Sequence, residues 1–417
     1  MYDKDVSPAV PHRSLKALLR RSPIIISLLS IATVLAFLAV THLVNRFREQ
    51  EKALARHLYA EGQMDLDSGK PERAIGYFRA ALTYNRNDFQ YQLSLARALR
   101  DTGRTDESKS YLMSLWERSP EDGAVNLALG RLAVRQGITD EAIHYYHNAT
   151  YGIWDSDPET HRRNAQFELV DFLLRQNAHP QAQAELITLA VSLPAEPELE
   201  TRLAQMFERS GDYEHALSEY EAIGEHDHQN AGAYAGAGET AFRLHRYGTA
   251  EKYLATAIRL DPSNSSASQL LQTARLVLEI DPFVRGISPS ERNRRIQMSF
   301  DRAGARVREC AAKKGIAGDD NGNGSEESAD AKKQENDQKN VFLNDSSSSE
   351  LNSLLQDWTA MKGKVSLREA AFEPDAAESV MDLVFRIELQ TQKECGDPGR
   401  LDQALLLLAQ DRNGVDR

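Results

Sequence analysis

The chain holds two cysteines, Cys310 and Cys395. Neither lies in a Cys-X-X-Cys pair or in a Cys/His spacing that suits zinc, so thiolate metal chemistry is not expected. A disulfide is the chemistry they suit. In an oxidising compartment it would close a loop of about 85 residues, a constraint of roughly 4 kcal/mol in the chain-entropy view. Two separate buried thiols is the plainer alternative. Between them, Asp319, Asn321, Asn323, Gly324 and Asp330 reproduce part of a calcium loop, with oxygen ligands at alternate places and glycine at the bend. Glu326 stands where such a loop wants an apolar residue, and Asp330 where it wants Glu, so a solvated linker is the simpler reading. His226 and His228 flank Asp227 in a segment that reads as an exposed turn. Asn148-Ala149-Thr150 forms a glycosylation sequon inside a helical pattern, where it carries little meaning. Phosphate-cradling glycine loops, G-x-S-x-G and H-E-x-x-H are absent from the sequence. No catalytic residue, cofactor or metal is expected, and the chain does not read as an enzyme.

The elements that carry these residues follow a period. Ala74, Ser108, Ala142, Ala182, Ala216 and Ala250 are spaced by 34, 34, 40, 34 and 34 residues, so one step holds an insertion of six. Five residues before each marker stands a turn residue: Gly69, Gly103, Gly137, Asn177, Gly211 or His245. Four residues after each stands a large one: Phe78, Leu112, Tyr146, Leu186, Tyr220 or Leu254. A period of this length describes stacked helix pairs, each unable to bury its apolar face alone. The turn wants a residue at positive φ, which Gly adopts freely and Asn tolerates. The small residues let two helices approach, and the large ones fill the space between neighbours.

The pattern resembles the tetratricopeptide repeat family. The last unit carries it most fully, in Gly238, Ala250, Leu254, Ala257 and Pro262, and the first carries Gly62, Gly69, Ala74, Phe78 and Ala81. The family's Trp is missing from every unit, and Ser108 replaces Ala in the second. Six repeats are placed at 55–88, 89–122, 123–156, 163–196, 197–230 and 231–264, about half the chain. The segment 265–280 has helical periodicity and is expected to seal the open end.

The resemblance implies a concave face lined by the first helix of each repeat. Carried onto this sequence, that face includes Tyr59, Arg97, Arg100, Arg131, Arg135, Phe167, Arg175, Arg209, Phe242 and Arg243. Arginines with aromatics suit an acidic, carboxylate-bearing peptide. Those that close a helix also complement its dipole, which needs no ligand, but Arg97, Arg100 and Arg131 fit that account less well. The family's peptide-carboxylate clamp is not reproduced residue for residue.

Residues 23–44 form a run of 22 without a charge, enough to cross a hydrocarbon core of roughly 30 Å. The run is longer than a signal-peptide core and no clean Ala-X-Ala site directly follows it, so a retained signal-anchor is expected. Lys4, Arg13, Lys16, Arg20 and Arg21 precede the run; Arg46, Arg48, Lys52 and Arg56 follow it. The short basic tail favours an N-terminus in the cytoplasm and repeats on the periplasmic or extracytoplasmic side, in a single-pass, bacterial-type protein. Formal charge is −12 for the chain; five Lys/Arg against two Asp make the tail through Ser22 +3 and leave −15 for the rest. An acidic body argues against nucleic acid as a partner.

The expected fold is all-α: a tetratricopeptide helical solenoid after an N-terminal transmembrane helix, with a small C-terminal helical region. Its parts are a basic tail at 1–22, the span at 23–44, the repeats at 55–264, a capping helix at 265–280, a basic helix at 285–312, a disordered low-complexity linker at 313–350 and C-terminal helices at 351–412. The linker reading rests on its scarcity of large apolar residues. The function expected is a membrane-anchored scaffold that binds acidic segments of other proteins during assembly of an envelope complex, with the bilayer held by 23–44 and no small-molecule substrate. Two alternatives stay open: an enzyme or enzyme-accessory protein with its site in the C-terminal helices, and an assembly factor on the cytoplasmic side.

Overall fold

The computed structural model describes residues 23–315, 345–366, 374–396 and 398–415, and among them the regular elements are all α-helices. Two compact units divide the chain at Phe172/Leu173.

The first unit opens with α1, Pro23–Asp67, a single helix of 45 residues. Pro23 sits in its first turn, where the missing N–H costs nothing, and no other proline interrupts it. The stretch from Ile26 is long and apolar enough to cross a membrane, by length and composition. Burial begins only at Ala55, where α1 becomes the first helix of the first repeat. The candidate anchor and the repeat are therefore one unbroken element. α2 (Pro71–Tyr84), α3 (Phe89–Asp101), α4 (Thr105–Arg118), α5 (Gly123–Gln136), α6 (Thr139–Tyr151) and α7 (Pro158–Arg175) follow, and the unit boundary falls within α7.

The pairs α1/α2, α3/α4 and α5/α6 pack as hairpins around the periodic residues. Ala74, Ser108, Ala142, Phe78, Leu112 and Tyr146 are all buried. Ser108 is tolerated because its hydroxyl donates to the Ala96 carbonyl oxygen at 2.7 Å, which meets the need of a buried polar group for a partner. The turns at Gly69, Gly103 and Gly137 have φ of 71°, 81° and 74°, the left-handed region that glycine enters without strain. Asp88 and Asp122 cap α3 and α5 by accepting from the Tyr91 and Val125 backbone N–H groups at 3.1 and 2.8 Å.

The second unit contains α8 (His179–Ser192), α9 (Pro197–Ser210), α10 (Tyr213–His226), α11 (Ala231–Arg243), α12 (Tyr247–Leu260) and α13 (Ser265–Ile280). Ala182, Ala216, Ala250, Leu186, Tyr220 and Leu254 are buried, repeating the same rule. Its turn residues Asn177, Gly211 and His245 have φ of 57°, 81° and 58°. His245 holds that conformation while its Nδ1 meets the Tyr247 hydroxyl at 2.8 Å.

The end of this unit departs from expectation. α13 does not seal an open end. Its buried face, Leu271, Ala274 and Val277, joins a core that continues through α14 (Pro289–Lys313), α15 (Asp345–Ser366), α16 (Pro374–Cys395) and α17 (Arg400–Val415). Leu271, Phe300, Trp358, Val384 and Leu405 belong to that one cluster. Gly304 leaves room for Trp358: an added Cβ would lie 2.1 Å from the indole. The expected linker is also too long at its far end, because α15 begins at Asp345. The buried stripe Leu351, Leu354 and Trp358 extends helical order back through the polar serines.

Candidate functional site

The connection 152–157 between α6 and α7, where the repeat step lengthens to 40, builds a recess in the first unit. Ile153 pairs with the turn before α5: its N–H donates to the Glu121 carbonyl oxygen and its own carbonyl accepts from Gly123 N–H, both at 2.8 Å. That pairing brings Trp154 across Gly123, where an added Cβ would lie 2.3 Å from the indole, so only glycine fits beneath the ring. Trp154 Nε1 donates to the Ala149 carbonyl oxygen at 3.0 Å, and its ring stacks on His161 of α7 at 4.7 Å. The result is a cavity of about 180 Å³ lined by Leu93 and Arg97 of α3 and by Asp122, Trp154, Asp155 and His161.

Arg97 is the unusual group. It is largely withdrawn from water, yet it makes no hydrogen bond or ion pair among the described residues, and its Nε is buried and unpartnered. Burial first, then the nearby charges of Arg131 and Arg100, push its proton affinity down. Asp122, which lines the same cavity, is pushed up by burial, against the hydrogen bond from Val125 N–H and with Asp155 adding like charge. Two unlike charges face one recess without pairing. A buried charge without a partner is costly, so such an arrangement is uncommon unless something else meets it.

The other expected groove residues fall into different places. Arg131 is not available as a free cation. It grips Glu168 of α7 with both Nε and Nη2, the first at 2.8 Å, and that pairing holds its proton more firmly. Arg100 lies against Asp101 at 2.7 Å. Arg135 is exposed. Tyr59 stacks on Tyr91 at 4.7 Å and exchanges a 3.3 Å hydrogen bond with Ser94, so it locks α1 to α3 and offers little to a ligand. Phe167 is fully buried, which corrects its placement on an open face. α7 is buried at Ala165, Leu169, Val170 and Phe172 as well, on more than one stripe, and counting along a single face does not locate its exposed side.

In the second unit Arg175, Arg209 and Arg243 are exposed. Arg243 lies 3.7 Å from Glu239, and Phe242 meets Tyr247 edge-on at 5.3 Å. The C-terminal helices hold a different kind of chemistry. Cys310 of α14 and Cys395 of α16 are bonded to each other, with Cα atoms 5.8 Å apart. Beside them Arg306 donates from Nε to the Thr391 hydroxyl at 2.7 Å, and lies 3.2 Å from Glu388 and 2.8 Å from Asp402. Arg302 grips Asp402 at 2.5 and 2.7 Å. Burial raises Asp402, but donors from Arg302, Gly399 N–H and Arg306 outweigh it and hold the carboxyl below its ordinary value. Glu388 is buried without a hydrogen bond, and burial pushes it up to about 8 despite Arg306. Every charge in this network is met by protein, and it reads as a polar clasp across α14, α16 and α17.

Among the described residues no group of three His, Cys, Asp or Glu is placed to hold a metal ion. His228 turns its Nδ1 onto the Gly224 carbonyl at 2.8 Å. The basic tail at 1–22, the calcium-like residues Asp319 to Asp330 and most of the linker at 313–350 lie outside the described residues.

Sequence reasoning missed Asp122, Trp154, Asp155 and His161. Their signal was present in the step of 40 among steps of 34.

Two family models, both described as tetratricopeptide repeat, match residues 65–132 and 201–265. Proteins of this family are generally protein–protein interaction scaffolds and typically not enzymes. No curated protein matches the chain in sequence. Among solved structures, pilF of Pseudomonas aeruginosa is 18% identical, with a TM-score of 0.38, over 54% of this chain and 98% of its own. YrrB, described as a TPR protein with an unusual peptide-binding site, is 18% identical, with a TM-score of 0.36, over 47% and 97%. PilW, described as a widely conserved type IV pilus biogenesis factor, is 16% identical, with a TM-score of 0.38, over 52% and 98%.

Proposed function

We propose that this chain, which carries tetratricopeptide repeats, is a membrane-tethered scaffold that holds acidic segments of partner proteins against the first-helix face of its first unit. The observation that carries the reading is Arg97: a guanidinium largely out of water, with like charges beside it and no partner of its own. An oxygen acceptor of an incoming acidic segment meets its guanidinium with charge-assisted hydrogen bonds, while the segment's carboxylates offset the like charges of Arg97, Arg100 and Arg131. Exposed Arg135 adds attraction at longer range. Arg175, Arg209 and Arg243 of the second unit are exposed as well.

The apolar stretch of α1 is the tether. The basic tail before it supports a cytoplasmic N-terminus. The Cys310–Cys395 bond supports repeats on the oxidising side, where disulfides persist. A tethered scaffold there serves to assemble a complex of the envelope.

The test uses the full chain in detergent micelles and a fluorescein-labelled decamer of glutamate. Anisotropy should report binding that weakens as salt is added. Arg97→Gln should weaken it about tenfold or more, while Arg73→Gln, at an exposed place on α2, leaves it unchanged. Binding that ignores salt, or that survives Arg97→Gln intact, rejects the reading.

A further inference from the structure

The cavity beside the connection between α6 and α7 is more selective than an arginine alone. Arg97 lines it together with two carboxylates, Asp122 and Asp155, neither of them within ion-pair distance of the guanidinium. Asp122 spends one oxygen on the Val125 N–H at 2.8 Å, and Asp155 makes no hydrogen bond or ion pair among the described residues. Leu93 is buried at one wall, and Trp154, its ring held between Gly123 and His161, forms another.

Consider what each kind of guest meets there. A carboxylate gains Arg97 but is brought against Asp122 and Asp155. An ammonium gains the two acids but is brought against Arg97. Either one leaves a like-charge contact in a partly desolvated space, where screening is weak. A guest that accepts on one edge and donates on the other meets both kinds of group and brings no net charge. The primary carboxamide is the side-chain group with that layout: a carbonyl acceptor and an NH₂ with two donors, in one plane. The cavity of about 180 Å³ is of a size for one such side chain.

We propose that this recess is a side-chain pocket for glutamine or asparagine within the bound acidic segment, with the carbonyl on Arg97 and the NH₂ on Asp122 and Asp155. The proposal rests on the acidic-segment reading above and adds a specificity to it. The connection between α6 and α7 then has a purpose beyond linking two repeats, since it supplies Trp154 and Asp155 and orders them by the Ile153 pairing. Selectivity here comes from rejection as much as attraction, because the two acids exclude the carboxylates that the rest of the face attracts.

The experiment compares four labelled decapeptides on the full chain in micelles: all glutamate, and glutamate with a central Gln, Ala or Lys. Gln should bind about fivefold to tenfold tighter than all-Glu, although it carries one charge fewer, and tighter than Ala or Lys. Asp155→Asn, at an exposed and unpaired position, should cut the Gln advantage over Glu to less than twofold. Chemical shifts of the indole N–H groups, with Trp154 assigned through Trp154→Phe, should move at Trp154 and not at Trp358, which is buried in the C-terminal core. If all-Glu binds as tightly as Gln, or if Asp155→Asn leaves the ranking unchanged, the carboxamide pocket is wrong while the acidic-segment reading stands. If no peptide binds, both fall.

Discussion

The same substitution at two glycines of one helical hairpin should change stability in opposite directions. Gly62 lies in α1 and Gly76 in α2, both within the first repeat. A Cβ on Gly62 would sit 2.5, 2.7 and 3.1 Å from atoms of the Phe78 ring. That ring is fully buried and cannot swing into solvent, so the helices must part or the ring must leave its rotamer. Overpacking of this kind costs ~1–3 kcal/mol, against a gain of at most about 1 kcal/mol in helix propensity. The net expectation for Gly62→Ala is a loss of about 1–2 kcal/mol. A Cβ on Gly76 would meet nothing within 4 Å. Only the propensity term remains, and Gly76→Ala should gain about 0.5–1 kcal/mol. Because a repeat array opens locally, the assay is hydrogen exchange of the α2 amides in the full chain. Gly62→Ala should speed it about fivefold to thirtyfold, and adding Phe78→Leu should recover part of the loss. Equal protection in the two alanine variants would refute the claim that small residues set the approach of the helices.

Three further outcomes are expected. Glu388 is raised from its ordinary 4.5 to about 8, so the folded state binds its proton more tightly than the unfolded chain; its contribution is fully present below about pH 4.5 and is lost as pH rises to about 8. Thermal melts between pH 5 and 9 should therefore show that Glu388→Gln removes part of the decline towards alkaline pH; an unchanged profile would mean that Arg306 keeps the carboxylate ionised. Asn177 sits at φ 57°, so Asn177→Gly should be neutral or slightly stabilising in exchange at α7 and α8, whereas Asn177→Val should destabilise by about 1–2 kcal/mol. In protein taken from its native membrane, Cys310 and Cys395 should resist alkylation until reduced, and replacing both with Ser should lower the stability of α14 and α16 by about 2–4 kcal/mol; thiols that react without reduction would contradict an oxidising location.

Much of the fold was legible because one physical requirement recurs at one spacing. A tight helical turn needs positive φ, and Gly69, Gly103, Gly137, Asn177, Gly211 and His245 all supply it. Close helix approach needs a small residue, and every marker from Ala74 to Ala250 is buried. The C-terminal core was less legible. Leu271, Phe300, Trp358, Val384 and Leu405 share one cluster across five helices with no common repeat to announce it. The site was least legible. Arg131 and Arg97 occupy matching places in successive repeats, yet one is neutralised by Glu168 and the other is left alone, a difference made by a partner 37 residues away. The recess around Arg97 is built by the residues that break the period, and a pattern describes its own interruption only as a length.

The central claim is that the Arg97 face holds an acidic segment of a partner at the membrane. Photo-crosslinking in intact cells tests it most directly, with a photoreactive residue in place of Gln90, exposed at the rim of the recess. A discrete crosslinked product should appear, its peptide map should locate the crosslink in a segment rich in Glu or Asp, and Arg97→Gln should abolish it. A photoreactive residue at Glu117, exposed on α4, should give no such product. Crosslinks from position 90 that map to segments without acidic residues, or that persist in Arg97→Gln, would contradict the account.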